Sequence, residues 1–254
     1  MKHSRTDEST ILVFGATGQQ GGSVANALLN NGWSVRVMVR NPSSPASLAL
    51  RDAGAEIVTG TFDDRDAMRR AMAGAYGVFS VQPSSPGGTV TDDDEVSYGK
   101  TIASLAVECG VQHLVYSSGN AAGSKPTGVA HFDTKAEIER HIRTLPLVAT
   151  IVRPAAFMEL LVMPGFGLDE GHFHFFMPPE GSMQVIAVED IGKIVAAIFA
   201  GPERFAGKTF EIASDVVTGL RLQALFSSAA GLFPFSRRGT GREPFPAKVD
   251  GAGG

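Results

Sequence analysis

The sequence predicts a doubly wound α/β domain, a parallel β-sheet with helices on both faces, carrying a small irregular lobe formed by its C-terminal part. Short apolar runs alternate with helical patterns along most of the chain, which calls for parallel strands joined by crossover helices. The stretch ILVFGATGQQGGSVANALL at 11–29 puts an apolar run, a glycine turn and an amphipathic run in immediate succession. Gly32, Gly54, Gly74 and Gly110 follow or end helical patterns, where a left-handed C-terminal cap costs glycine least.

Taken in order, Ile11, Leu12, Val13 and Phe14 read as a short buried strand, and Gly15, Ala16, Thr17 and Gly18 turn the chain sharply. Val24, Ala25, Leu28 and Leu29 then give the apolar face of a helix over 21–30. Further strands are expected at 34–39, 56–59, 77–81, 113–117, 149–152 and 209–213. Helices are expected at 64–73, 92–109, 133–143 and 189–200. The acidic run Asp92, Asp93, Asp94 and Glu95 opens one of them, and its carboxylates are expected to cap and complement that helix N-terminus.

Residues 154–185 break the alternation. Prolines Pro154, Pro164, Pro178 and Pro179 lie among Phe157, Phe166, Phe173, Phe175, Phe176 and four methionines. An aromatic- and methionine-rich insertion after a late strand suggests a substrate lobe, part of which is plain core. Residues 227–254 are rich in glycine, proline and arginine without periodicity and read as an irregular tail. The expected organisation is a polar N-terminal tail at 1–10, a nucleotide-binding domain at 11–153, a lobe at 154–226 and the tail at 227–254.

Composition narrows the function. A hydrophobic fraction of 43% supports a sizeable core in 254 residues, and the longest apolar runs are too short for a bilayer. A net charge of −4 without a basic patch argues against nucleic acid. A single cysteine, Cys109, excludes an internal disulfide framework and reads as a small apolar residue ending a helix. With no apolar leader in MKHSRTDEST, a cytoplasmic location is expected.

The glycine turn carries the first chemistry. A strand, a glycine turn and a helix start aim backbone N–H groups and the positive helix end at one point, an arrangement that binds a pyrophosphate. Its spacing is G-x-x-G-x-x-G, through Gly15, Gly18 and Gly21, rather than the common dinucleotide fingerprint G-x-G-x-x-G. Position between strand and helix therefore matters more than the letters. About 20 residues on, the strand at 34–39 ends in Arg40, where an acid would hold a ribose 2′-hydroxyl. An arginine there suits a 2′-phosphate, so NADP(H) is expected over NAD(H).

Seven segments in order then resemble one family. VFGATGQQGGSVANALL, VRVMVRNP, GAEIVTGTFDD, HLVYSSG, HFDTKAEIERHIR, RPAAFME and VIAVEDIGKIVAAIF are similar to the NmrA-like family of atypical short-chain dehydrogenase/reductase proteins. The resemblance spans about residues 11–225 and is nearest to NADPH-sensing members with an HFD-x-K segment. It implies a Rossmann-like fold in which Gly15, Thr17, Gly18, Gln20, Gly21 and Gly22 hold phosphates and Arg40 the 2′-phosphate. It further implies Phe62 and Asp63 beside the adenine and Gln82 and Pro83 facing the nicotinamide ribose. Lys135 would contact that ribose or the nicotinamide, with Pro154, Ala155 and Phe157 flanking the ring.

One departure bears on catalysis. Such dehydrogenases use Tyr-x-x-x-Lys, the tyrosine giving a proton; here the segment is His131-Phe132-Asp133-Thr134-Lys135, with Ser118 thirteen residues upstream. One reading is a Ser118–His131–Lys135 variant with His131 as proton donor, which a reference pKa near 6.5 permits. The other is that catalysis is lost and His131 packs near the cofactor. His172 and His174 with Glu170 lack a third firm ligand, so no metal site is expected and the histidines are assigned to the substrate mouth. His113 is assigned a structural role.

Two functions remain open on these residues. One is an NADPH-dependent oxidoreductase acting on a small conjugated aromatic or quinone-like compound, including a step that tailors a natural product. The other is a non-catalytic redox sensor that binds a protein partner according to NADPH occupancy. A second copy of the chain or a regulatory protein is the macromolecular partner expected, not nucleic acid or membrane. Family members continue with further helices after the segment matching 214–226. The unlike ending from Gly231 suggests a truncated or frame-shifted C-terminus, with a cleft left open or completed by a partner subunit.

Overall fold

The computed structural model describes residues 9–85, 88–123, 125–164, 167–168, 173, 177–178 and 180–230. Its main sheet has seven strands in the order β3-β2-β1-β4-β5-β6-β9. These are β1 (Thr10–Val13), β2 (Ser34–Val39), β3 (Glu56–Thr59), β4 (Gly77–Ser80), β5 (His113–Ser117), β6 (Ala149–Pro154) and β9 (Thr209–Ile212). All six pairings are parallel. The expected doubly wound α/β fold is therefore present. Strand order reverses between β1 and β4, and in such sheets the crevice outside the strand ends at that point receives ligands.

Helices cover both faces. On one, α1 (Gln19–Asn30) and α6 (Val188–Ala200) bury Val24, Leu28, Val195 and Phe199 with Val13 and Val37. On the other, α3 (Arg65–Met72), α4 (Asp92–Glu108) and α5 (Ala130–Thr144) bury Met68, Met72, Ile102, Leu105 and Ile138 with Leu12 and Tyr116. The α1–α6 crossing is close: a Cβ on Gly192 would lie 2.8 Å from the Ser23 carbonyl carbon. Near-contact backbones are what the absence of a side chain permits there.

Capping follows the sequence where the side chains allow it. Thr91 accepts from the Asp94 backbone N–H while the Asp94 carboxylate accepts from the Thr91 backbone N–H, a closed capping box at the start of α4. Asp94 thus behaves as expected of the acidic run. Glu95 does not: it is 1% exposed and turned into the protein. The helix α2 (Pro45–Asp52) was not anticipated, although Ser44 caps it and Pro45 stands at its first position. Its short apolar face, buried through Ser47 and Leu50, gives a weak periodic signal.

The lobe has more regular structure than its composition suggested. After β6 come β7 (Ala156–Phe157) and a 3-10 turn at Met158–Val162, and later β8 (Ser182–Ile186). The short α7 (Pro202–Phe205) precedes β9, and β10 (Asp215–Thr218) follows it. Strands β10, β8 and β7 form a second sheet. Leu161, Phe173, Val185, Val217 and Leu222 make a separate small core there, with Met158, Met177, Met183 and Phe226 against it. The helix α8 (Gly219–Ala230) runs through residues 227–230, which the sequence assigned to the irregular tail. The rest of that tail, and His172, His174, Glu170, Phe166, Phe175, Phe176 and Pro179, lie outside the described residues. Among the described residues no helix is long and apolar enough to cross a membrane.

Candidate functional site

The glycine turn between β1 and α1 is built by close backbone approach. Gly15 has φ +66°, and a Cβ on it would meet Val81 Cγ1 at 2.8 Å. The Gly18 N–H donates to Gly15 O at 2.9 Å. A Cβ on Gly21 would lie 2.7 Å from Ala16 N and closer still to Gly15 O. Helix α1 has no side-chain cap at Gly18 and no acidic residue in its first turn. Its leading N–H groups and positive end are therefore available to an anion.

That turn floors a cleft of about 560 Å³, a size typical of small-molecule and cofactor sites. Gly15, Thr17, Gly18, Gln20 and Gly21 line it, as do Arg40 beyond β2, Phe62 and Asp63 beyond β3, Gln82 and Pro83 beyond β4, and Phe157 of β7. Residues far apart in sequence meet in this one space. Gly22, Ser118, His131, Lys135 and Pro154 do not line it; Pro154 is buried in register with Ile212. Arg40 is exposed and makes no hydrogen bond or ion pair among the described residues, whereas Arg36 is held by Glu56 at 2.7 Å and by the carbonyls of Ala71 and Ala73. A free guanidinium at the cleft can take a phosphate without first breaking a protein contact.

The opposite wall is aromatic. Phe62 stacks on Tyr98 with ring centroids 5.4 Å apart and meets Phe14 at 5.9 Å. The Tyr98 hydroxyl donates to Asp63 Oδ1 at 2.6 Å, and this bond, with burial, pushes the phenol up to about 12. Tyr98 was missed by sequence reasoning, because a lone tyrosine on a helix face has no motif to announce it. Of the described aromatic and methionine residues of the lobe, Phe157 lines the cleft, while Met158, Phe173, Met177 and Met183 pack into the lobe's own core.

A second group of polar residues lies along α5. His131, Lys135, Glu139 and Arg143 stand at four-residue intervals, hence on one helix face. Lys135 Nζ pairs with Glu95 Oε1 at 2.6 Å and lies 3.4 Å from His131 Nδ1. Burial, then the Lys135 charge, lower the His131 imidazole to about 4, opposed only by Asp92. Burial works to raise the Glu139 carboxyl, but hydrogen bonds from Arg153, Ser118 and Arg143 outweigh it and hold it below the usual range. Arg153 grips Glu139 with two bonds at 2.8 and 2.7 Å.

Two expectations change here. The Ser118 hydroxyl donates to Glu139 Oε1 at 2.6 Å. Glu139 is two helical turns beyond His131, roughly 12 Å along the axis, so Ser118 is engaged by the ionic network and not by the imidazole. And a His131 near 4 is neutral at pH 7, so the reference value of 6.5 does not describe it. His113, as expected, is structural: Thr150 donates its hydroxyl proton to Phe205 O and therefore accepts from His113 Nε2 at 2.8 Å. Cys109 ends α4, and burial raises its thiol. Among the described residues no cluster of three acidic, histidine or cysteine side chains could hold a metal.

A family model described as NmrA-like matches residues 7–233. The chain belongs to the NmrA-like family. An NmrA-like family domain-containing oxidoreductase, FrzB, of Cladobotryum sp is 34% identical over 250 residues, 87% of this chain and 73% of that protein. A second, lnaB of Aspergillus flavus, is 34% identical over 248 residues, 89% of this chain and 74% of that protein. Among solved structures, NmrA, a negative transcriptional regulator, in complex with NADP superposes with TM-score 0.74 at 24% identity, over 89% of this chain and 73% of that one. A Citrobacter sp. triphenylmethane reductase complexed with NADP(H) gives 0.76 at 21%, over 92% and 79%. At these identities the structural likeness concerns the fold. This NmrA-like chain therefore shares the family and the fold that the resemblance implied.

Proposed function

We propose that the chain binds NADP(H) in the cleft and acts as an oxidoreductase on a small conjugated aromatic or quinone-like compound. The observation that carries the cofactor is Arg40, exposed at the cleft and unpaired among the described residues, together with the uncapped start of α1. These two features suit a 2′-phosphate and a pyrophosphate respectively. Phe62 and Tyr98 offer a flat wall to an adenine. The oxidoreductase names of FrzB and lnaB support the reaction class, and the NADP(H) complexes of NmrA and triphenylmethane reductase support the cofactor.

A nicotinamide cofactor supplies a hydride when bound. The chain's own part is to hold it, to exclude water and to steady charge on the acceptor. His131, neutral at pH 7, offers an N–H to an oxygen on which negative charge develops, a role that needs no imidazolium. Lys135 lies beside it as a fixed positive charge.

The test is a fluorescence titration with NADPH and NADH, followed by absorbance at 340 nm against a panel of quinones and triarylmethane dyes. Tight NADPH binding with turnover supports the proposal. Tight binding without turnover on any compound favours the sensor reading, for which histidine in the tyrosine position is the specific observation. Absence of binding to either dinucleotide overturns both.

A further inference from the structure

Glu95 belongs by sequence to the acidic start of α4, yet it leaves the helix end to Asp94 and enters the protein, 1% exposed. A carboxylate so buried is costly unless paired and hydrogen-bonded. Its Oε1 takes Lys135 Nζ at 2.6 Å, and its Oε2 lies 3.3 Å from the Thr134 hydroxyl. Lys135 is itself largely buried and stands 3.4 Å from His131 Nδ1. An ammonium can only donate, so the nitrogen facing it must keep its lone pair. The imidazole proton then sits on Nε2.

We infer that Glu95 is a positioning residue for this site: by holding the Lys135 ammonium against His131 Nδ1, it keeps the His131 proton on Nε2, the nitrogen left free to donate to substrate. The inference rests on the proposed function only for the last step, the use of that donor. The charged groups that bear on the imidazole are Lys135 from its own helix and Asp92 from α4, with the Phe132 ring beside it. Asp92 Oδ1 is buried and takes no hydrogen bond among the described residues, so it holds no ring proton in this arrangement. Without Glu95, the Lys135 ammonium loses the carboxylate that holds it in place. Free to turn away, it no longer claims the lone pair of Nδ1, and Nδ1 can then carry the proton.

The experiment reads the tautomer directly, in the full ¹⁵N-labelled chain without cofactor or substrate, from long-range ¹H–¹⁵N correlations. The His131 signals are assigned by their loss in His131→Asn. At pH 7 the native chain is expected to hold the Nε2–H form in roughly tenfold excess or more, and Glu95→Met to bring the two forms to about parity. Glu95→Gln, which keeps an oxygen acceptor for Lys135, is expected to restore most of the native preference. A role confined to packing would lower the melting temperature and leave the tautomer ratio unchanged, which overturns the inference. So does a native His131 with its proton on Nδ1. If Glu95→Met does not fold, Lys135→Met serves, and an unchanged ratio there is equally fatal. Because no turnover is needed, a protein that reduces nothing would overturn the oxidoreductase reading and leave this one standing.

Discussion

Arg40 has no side-chain partner to lose among the described residues, so on the proposed function Arg40→Ala should weaken NADPH about 10- to 100-fold, the equivalent of about 1.5–3 kcal/mol for charge-assisted bonds, and leave NADH within about twofold. Equal losses for both dinucleotides would remove the 2′-phosphate assignment. His113 is 1% exposed and burial lowers it to about 4. Between that value and the unfolded 6.5 the unfolded chain binds more protons, so stability rises with pH through this window and is lost as pH falls. The His113 share is on the order of 3 kcal/mol at full effect, and His131 acts in the same direction. Urea midpoints at pH 7 and pH 5 should show the fall, and His113→Gln should blunt it. The position of Arg40 at the cleft was legible because its place after a strand is fixed by the fold. The state of His131 was not, because nothing in HFDTK reports that Lys135 is held by Glu95, 40 residues earlier.

At the scale of elements, two glycines are irreplaceable for different reasons. Gly21→Ala puts a methyl group against Gly15 O and Ala16 N, so the turn must open. Loss of dinucleotide binding is expected, with a melting transition lowered by the equivalent of about 2–4 kcal/mol, read by calorimetry beside the titration. Gly192→Ala strikes Ser23 across the α1–α6 crossing and should destabilise comparably while leaving the site chemistry intact. Thr91→Ala removes one half of the capping box and should cost about 1 kcal/mol. The inner strands of the main sheet, such as β1 and β4, were readable because strands buried on both faces are short continuous apolar runs. The helix α2 and the strands β7, β8 and β10 were not: they are short, and their apolar residues find partners only in three dimensions.

Across the whole molecule, Glu139 ties α5 to β5 through Ser118 and to β6 through Arg153. It is 1% exposed, so Glu139→Gln leaves a largely buried Arg153 with only the exposed Glu211 carboxylate, 3.9 Å away, and should cost about 3 kcal/mol in urea unfolding. Glu139→Leu with Arg153→Met should recover most of that loss, since an apolar pair of similar volume carries no desolvation penalty. If the double variant is as unstable as Glu139→Gln, the network is required for more than charge balance. The sequence by itself determined the parallel sheet, the glycine turn and part of the cleft lining, because strand and helix periodicities and turn geometry are local properties. The tertiary structure alone decided which charges are paired. The sequence marked Lys135 and Ser118 by position, took Glu95 for a helix cap and gave Glu139 no role; only burial, by forbidding an unpaired charge, assigns each its partner.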